Sequence, residues 1–216
     1  FYMQLGGDPQ FIAADGKSVV WDDEKALKAF ELTKEYYDLT PPMMSEGFEM
    51  FCSGQGYGMI EGTWSVKSIM ARAEETGFTL GIVPFPQFIN TDLPSYAVYS
   101  HSLILPVSTT RDDDKTRAAL NFVKYFLEHD EHWAAAAHLP SYADAYNTDF
   151  FKALPMRSAY AGAVDKMLKP FPALSTMDMY TCTELNDPLA SLVLGETDAQ
   201  ECFETVKDNL NTTLGR

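Results

Sequence analysis

Nowhere does this chain run to the roughly 18 consecutive apolar residues a membrane-crossing helix needs, so the sequence offers no membrane span. Basic residues are scarce as well: 16 Lys and Arg stand against 31 Asp and Glu, a formal net charge of −15. A row of phosphates needs cations to neutralise it, so nucleic acid is excluded as a partner. An anionic membrane surface and an anionic substrate are disfavoured for the same reason. The acidity itself reads as a solubility device. Cysteine is limited to Cys52, Cys182 and Cys202, at no metal-binding spacing. They read as small buried hydrophobes, with a Cys182–Cys202 bridge as the alternative, and leave the redox compartment open. The opening "FYMQLGGDPQ" lacks an initiator Met, a basic stretch and a signal-type apolar region. It reads as the middle of a protein, which makes a fragment or processed product the expectation, with any targeting segment upstream.

Catalytic motifs are missing too. No G-x-S-x-G, H-E-x-x-H, P-loop or G-x-G-x-x-G occurs. The glycine cluster "GQGYG" at 54–58 leads into an expected strand and opens no helix, which suits a phosphate poorly. Ser100 and His101 are neighbours, so on a strand they point to opposite faces, a poor arrangement for a nucleophile and its base. "EHDEH" sets His129 and His132 three apart beside Asp130 and Glu131, the one zinc-like pattern. It falls at a break between helices, where charged residues are ordinarily just solvated. The expectation is therefore no metal, no cofactor and no catalytic residue.

What remains is a helix-rich pattern with short strands between. Asp22 caps a first helix through "DEKALKAFELTKEYYDL", with Ala26, Leu27, Phe30 and Tyr37 on one face, and Pro41 and Pro42 end it. A short helical turn stops at Gly54, "YGMI" reads as a buried strand, and a helix after Trp64 closes at Gly77. "TLGIVPFP" and residues 96–107 read as strands. Residues 112–138 read as a helical hairpin opened by Asp112, Asp113 and Asp114 at the positive end of its dipole. Its apolar side looks built to meet something the chain does not contain. Thr197 and Gln200 form a capping box for the last helix. The class these elements predict is α/β.

Aromatics are plentiful: 14 Phe, 11 Tyr and 3 Trp. Tyr and Trp offer a wide apolar face with a polar handle, a match for a pyranose with its C–H face and rim of hydroxyls. Trp21, just before a helix cap, reads as a staple or core residue, and Trp133, in an Ala-rich helix, as packing. Trp64 differs, because it follows a strand and stands after Gly62 and Thr63 at a strand-to-helix corner of the kind that lines clefts. A ligand-facing ring is the reading there, with a core position as the alternative.

"SGQGYGMIEGTWSV" after Phe51, then a helix, then "LGIVPFP", resembles the extracellular solute-binding proteins of carbohydrate ABC transporters, the maltose-binding-protein-like family 1. Phe51, Gly56, Met59, Gly62, Trp64 and "VPFP" carry the resemblance. "SHSLILPVST", "KTRAALNFVKYFLEHDEHW", "HLPSYADAY" and "LVLGETDAQECFETVKDNLNTTL" extend it in order over nearly the whole chain. The resemblance implies a periplasmic-binding-protein-like type II fold. Residues 1–95 and 152–216 would form the C-terminal lobe. Residues 96–151 would supply hinge strands and the helical part of an N-terminal lobe otherwise upstream.

The resemblance further implies that the chain takes up a mono- or oligosaccharide between two lobes and hands it to the permease subunits of an ABC importer. It would act as a monomer outside the cell or in the periplasm, lipid-anchored through a segment not in this sequence. Trp64 matches the family's stacking Trp. Tyr99, Ser100 and His101 match a loop that lines the cleft, Tyr180 falls in a late aromatic contact region, and Tyr2 lies near another contact segment. A non-sugar ligand such as a polyamine is the first rival and would need carboxylates such as Glu61 beside the aromatics. A glycan-active enzyme is the second.

Overall fold

The computed structural model describes residues 1–8, 10–40, 46–90, 92, 103–162 and 183–215. Helix accounts for 56% of them and strand for 1%, with no sheet. The expected α/β, type II periplasmic-binding-protein-like fold is thereby overturned: the described chain is mostly helical. The segments read as strands at 57–60 and 79–86 run without a ladder partner, and so does 103–107; residues 96–102 lie outside the described residues. Apolar and β-branched side chains favour extended backbone, but a sheet exists only when a second strand takes up the first one's N–H and C=O groups. Among the described residues the strand-like pairing is a single antiparallel bridge, Ile12 to Val19.

In chain order the helices are α1 (Asp23–Asp38), α2 (Gly47–Cys52), α3 (Val66–Thr76), α4 (Asp113–Glu128), α5 (Glu131–Ala134), α6 (Asp149–Ala153), α7 (Arg157–Ala161), α8 (Thr183–Leu194) and α9 (Ala199–Leu214), with 3-10 segments at Thr63–Ser65 and Ala143–Asn147. Two compact units emerge. One comprises Phe1–Gly47, Phe85–Val98 and Lys166–Arg216, and the other Phe48–Pro84 and Tyr99–Asp165.

The first unit is built on α1, α8 and α9. Asp22 accepts the Lys25 amide at 3.1 Å and starts α1; that hydrogen bond holds its carboxyl below the usual range. Phe203, Val206, Leu210 and Leu214 form one face of α9 and meet Ala26 and Phe30 of α1 and Leu192 of α8 in an apolar core. Trp21 closes the core, stacked on Phe203 at 5.8 Å and edge-on to Phe30 at 6.4 Å. The cap of α9 lies one residue later than the expected Thr197–Gln200 box: Asp198 accepts the Glu201 amide at 2.8 Å, while the Thr197 hydroxyl donates to the Glu201 carboxylate at 2.9 Å. Cys202 carries a free, buried thiol that donates to the Pro188 carbonyl at 3.3 Å, and burial pushes its pKa up to about 11. Cys182, its alternative partner, lies outside the described residues. Gln4, also buried, spans to an extended segment: its amide donates to the Pro86 carbonyl at 3.1 Å and accepts the Phe88 N–H at 2.9 Å.

In the second unit α3 buries Val66, Ile69 and Ala73 and ends where Gly77 takes φ 79°. Val66 packs with Ala137 and Tyr160, with Met70, Ile82, Leu139 and Met156 around them. Helix α4 begins on Asp112, which accepts the Lys115 amide at 2.8 Å, and buries none of its residues. Its charges pair locally as Lys115–Asp112, Arg117–Asp114 and Lys124–Glu128. Its Leu120, Phe122 and Tyr125 are all more than half exposed.

Candidate functional site

Trp64 stands in the 3-10 segment that leads straight into α3. The chain arrives extended at Gly62 (φ −75°, ψ 156°), and the Ser65 amide closes the turn on the Gly62 carbonyl at 3.1 Å. A Cβ on Gly62 would stand 2.2 Å from Cη2 of Trp64 and 2.3 Å from both Cζ2 and Cζ3. Three consecutive ring atoms at nearly one distance mean that the α-carbon faces the plane of the ring and not its rim. The glycine therefore makes room for one face of the indole, and the residue as a whole is 54% exposed. The core alternative for Trp64 does not describe this geometry.

Glu61 shares the same glycine. Its Oε1 accepts the Gly62 N–H at 2.7 Å, and the side chain is exposed. Gly62 thus makes both contacts, its N–H to the Glu61 carboxylate and its α-carbon to the Trp64 ring. Tyr57 and Ile60, just before them, are exposed too. Tyr2 repeats the ring-on-glycine device in the other unit: a Cβ on Gly7 would lie 2.4–2.5 Å from three atoms of its ring. There the ring is half-buried against the first core and its hydroxyl accepts the Asp22 amide at 3.0 Å, so the side chain braces the start of α1. Tyr99, Ser100, His101 and Tyr180 lie outside the described residues.

In the "EHDEH" pattern the His129 and His132 rings lie nearly parallel at 6.4 Å, yet each is engaged elsewhere. His129 Nδ1 donates to the Tyr125 carbonyl at 2.8 Å and the ring stacks on Tyr125 at 4.1 Å, while His132 meets the edge of Phe150 at 4.7 Å. Asp130 turns inward. Its buried carboxylate accepts from the Ser141 amide and hydroxyl and from the Tyr142 amide, tying the loop after α5. Among the described residues no three His, Cys, Asp or Glu side chains gather as a metal would require.

Two structural side chains of this unit escaped the sequence reading. Asp130 stands at the start of α5, where a carboxylate is expected, but its loop-tying bonds to Ser141 and Tyr142 have no motif. Buried Arg157 donates to the carbonyls of Ala134 (2.8 Å) and Pro155 (3.1 Å), satisfying the end of α5 from a five-residue helix too short to show periodicity.

An exposed indole can stack on an apolar ring face, and an exposed carboxylate can accept hydrogen bonds. Set against protein-family models, curated proteins and solved structures, the sequence and fold find no counterpart. The chain matches none. No helix among the described residues is long and apolar enough to cross a membrane.

Proposed function

We propose that this chain captures a mono- or oligosaccharide on Trp64 and acts as the substrate-binding component of an ABC importer, passing the sugar to a membrane permease. The observation that carries the reading is the Trp64 indole, set flat on Gly62 and 54% exposed. A large aromatic face left in water gives up a hydrophobic gain that a ligand of matching shape recovers. The C–H face of a pyranose is such a ligand, and its hydroxyls find an acceptor in Glu61. A sugar lacking the hydroxyl that a protein group expects leaves that group unpaired, at a cost of about 1–3 kcal/mol, which is the source of selectivity. No bond is broken.

The importer role draws on the ordered motifs from Phe51 to Pro86, which resemble the carbohydrate solute-binding family, and it places the protein outside the cell or in the periplasm on a lipid anchor. A second reading has one observation of its own. The Glu61 carboxylate beside an open indole also suits a cation such as a polyamine.

Calorimetry with a panel of saccharides and polyamines, on the parent chain and on Trp64→Ala, tests both. The expected result is heat from a neutral saccharide, loss of at least tenfold in affinity in the variant (about 1.4 kcal/mol) and no turnover. Binding confined to polyamines supports the second reading, and hydrolysis of the saccharide contradicts the transport role.

A further inference from the structure

The turn that carries Trp64 has little hold of its own. From Ser53 to Ser65 no residue is buried, and no side-chain cap bond opens either the Thr63–Ser65 segment or α3. Val66 is where the chain re-enters the interior. It is 7% exposed, and its N–H closes the turn on the Thr63 carbonyl. What fixes Val66 therefore fixes the end of the turn on which the indole stands.

Val66 lies in one buried cluster with Ala137 and Tyr160. Ala137 takes φ 78°, a left-handed angle that an alanine holds only where its surroundings impose it. The Tyr160 hydroxyl, buried with it, donates to the Ala137 carbonyl at 2.9 Å. Arg157, one turn earlier on α7, interacts with that hydroxyl and donates to the Ala134 carbonyl at 2.8 Å. Two side chains of one short helix thus grip both ends of the segment from Ala134 to Ala137.

We propose that Tyr160 is a positioning residue for the Trp64 platform. Its hydroxyl holds the Ala137 carbonyl in the left-handed turn. Ala137 and Tyr160 together form the seat for Val66, and Val66 fixes the turn that sets the indole on Gly62. The inference rests on the sugar-binding reading of Trp64 and adds a buried residue that acts through Val66. The physical ground is preorganisation. A ring already held in place is not ordered at the ligand's expense, a difference of about fivefold in affinity for one large side chain.

The test is fluorine NMR of the 216-residue chain labelled with fluorotryptophan, the Trp64 signal being assigned by Trp64→Phe. Calorimetry with methyl glycosides of the gluco, galacto and manno series accompanies it. Tyr146 supplies the control: its hydroxyl donates to the Pro140 carbonyl at the same 2.9 Å and in the same unit, but outside the Val66 cluster. The expected result is that Tyr160→Phe shifts or broadens the Trp64 signal and weakens the glycoside that binds the parent by about fivefold. The Trp21 signal, from the other unit, stays in place. Tyr146→Phe leaves both the Trp64 signal and the affinity as in the parent. Val66→Ala, which keeps the hydroxyl, repeats the change at Trp64 and decides the matter if Tyr160→Phe does not fold. Three outcomes overturn the inference alone: a Trp64 signal unmoved in Tyr160→Phe or in Val66→Ala, an equal change in Tyr146→Phe, or a changed signal with unchanged affinity. A parent that binds no glycoside overturns the sugar-binding reading instead, and the fluorine signals, which need no ligand, still decide whether Tyr160 sets the indole.

Discussion

At Gly62 the need for glycine is one of space and not of backbone angle. Its φ of −75° is open to any residue, yet a side chain there would run into the Trp64 ring within 2.3 Å. The ring is the far end of a movable side chain, so Gly62→Ala displaces the indole and leaves the turn intact. The expected outcome is a thermal midpoint within a few degrees of the parent together with a loss of saccharide affinity as large as that of Trp64→Ala, read by calorimetry. Unchanged affinity in Gly62→Ala means that the resting position of the ring does not matter for binding. The sequence displayed this device openly, since a Trp two residues after a glycine and just before a helix is visible in one dimension. It could not display that Glu61 accepts the amide of the same glycine, because a one-residue contact leaves no spacing to read. Nor could it display that Tyr2, with an equal glycine beneath it at Gly7, is occupied in bracing α1.

Among the elements, α9 and α4 make an instructive pair, equal in length at 16 residues and both amphipathic. Helix α9 buries Leu210 to 2% exposure, whereas Leu120 on α4 stays 53% exposed. Leu210→Ala should therefore lower unfolding stability by about 2–5 kcal/mol and Leu120→Ala by less than about 1 kcal/mol, each measured by urea denaturation. Comparable losses would mean that α4 is covered in solution by something that also protects Leu120. Helices were legible because their signals are local. Asp22, Asp112 and Gly77 mark ends that the hydrogen bonds to Lys25, Lys115 and Ala73 then realise. The cap at Asp198 was displaced by one position because Thr197 and Asp198 are both good caps and only geometry chooses between them. Strands were misread for the opposite reason. The apolar run at 103–107 is strand-like in composition apart from Pro106, but whether it becomes a strand depends on a partner that its own residues do not name.

At the scale of the whole molecule, a formal net charge of −15 works against association with phosphate-rich partners. The type II α/β frame that the motif order implied is not what the described residues build, so the function proposed here stands on the local chemistry around Gly62 and on the resemblance of the sequence from Phe51 to Pro86. Its central claim is that a sugar ring lies on the free face of one indole. Intermolecular NOEs in a sugar titration test this most directly, since the chain has three tryptophans and only one is proposed to touch ligand. The account predicts NOEs from the sugar's C–H protons to the ring protons of Trp64 and none to Trp21 or Trp133. NOEs to either of the other two indoles, or bound sugar with no contact to Trp64, would contradict it.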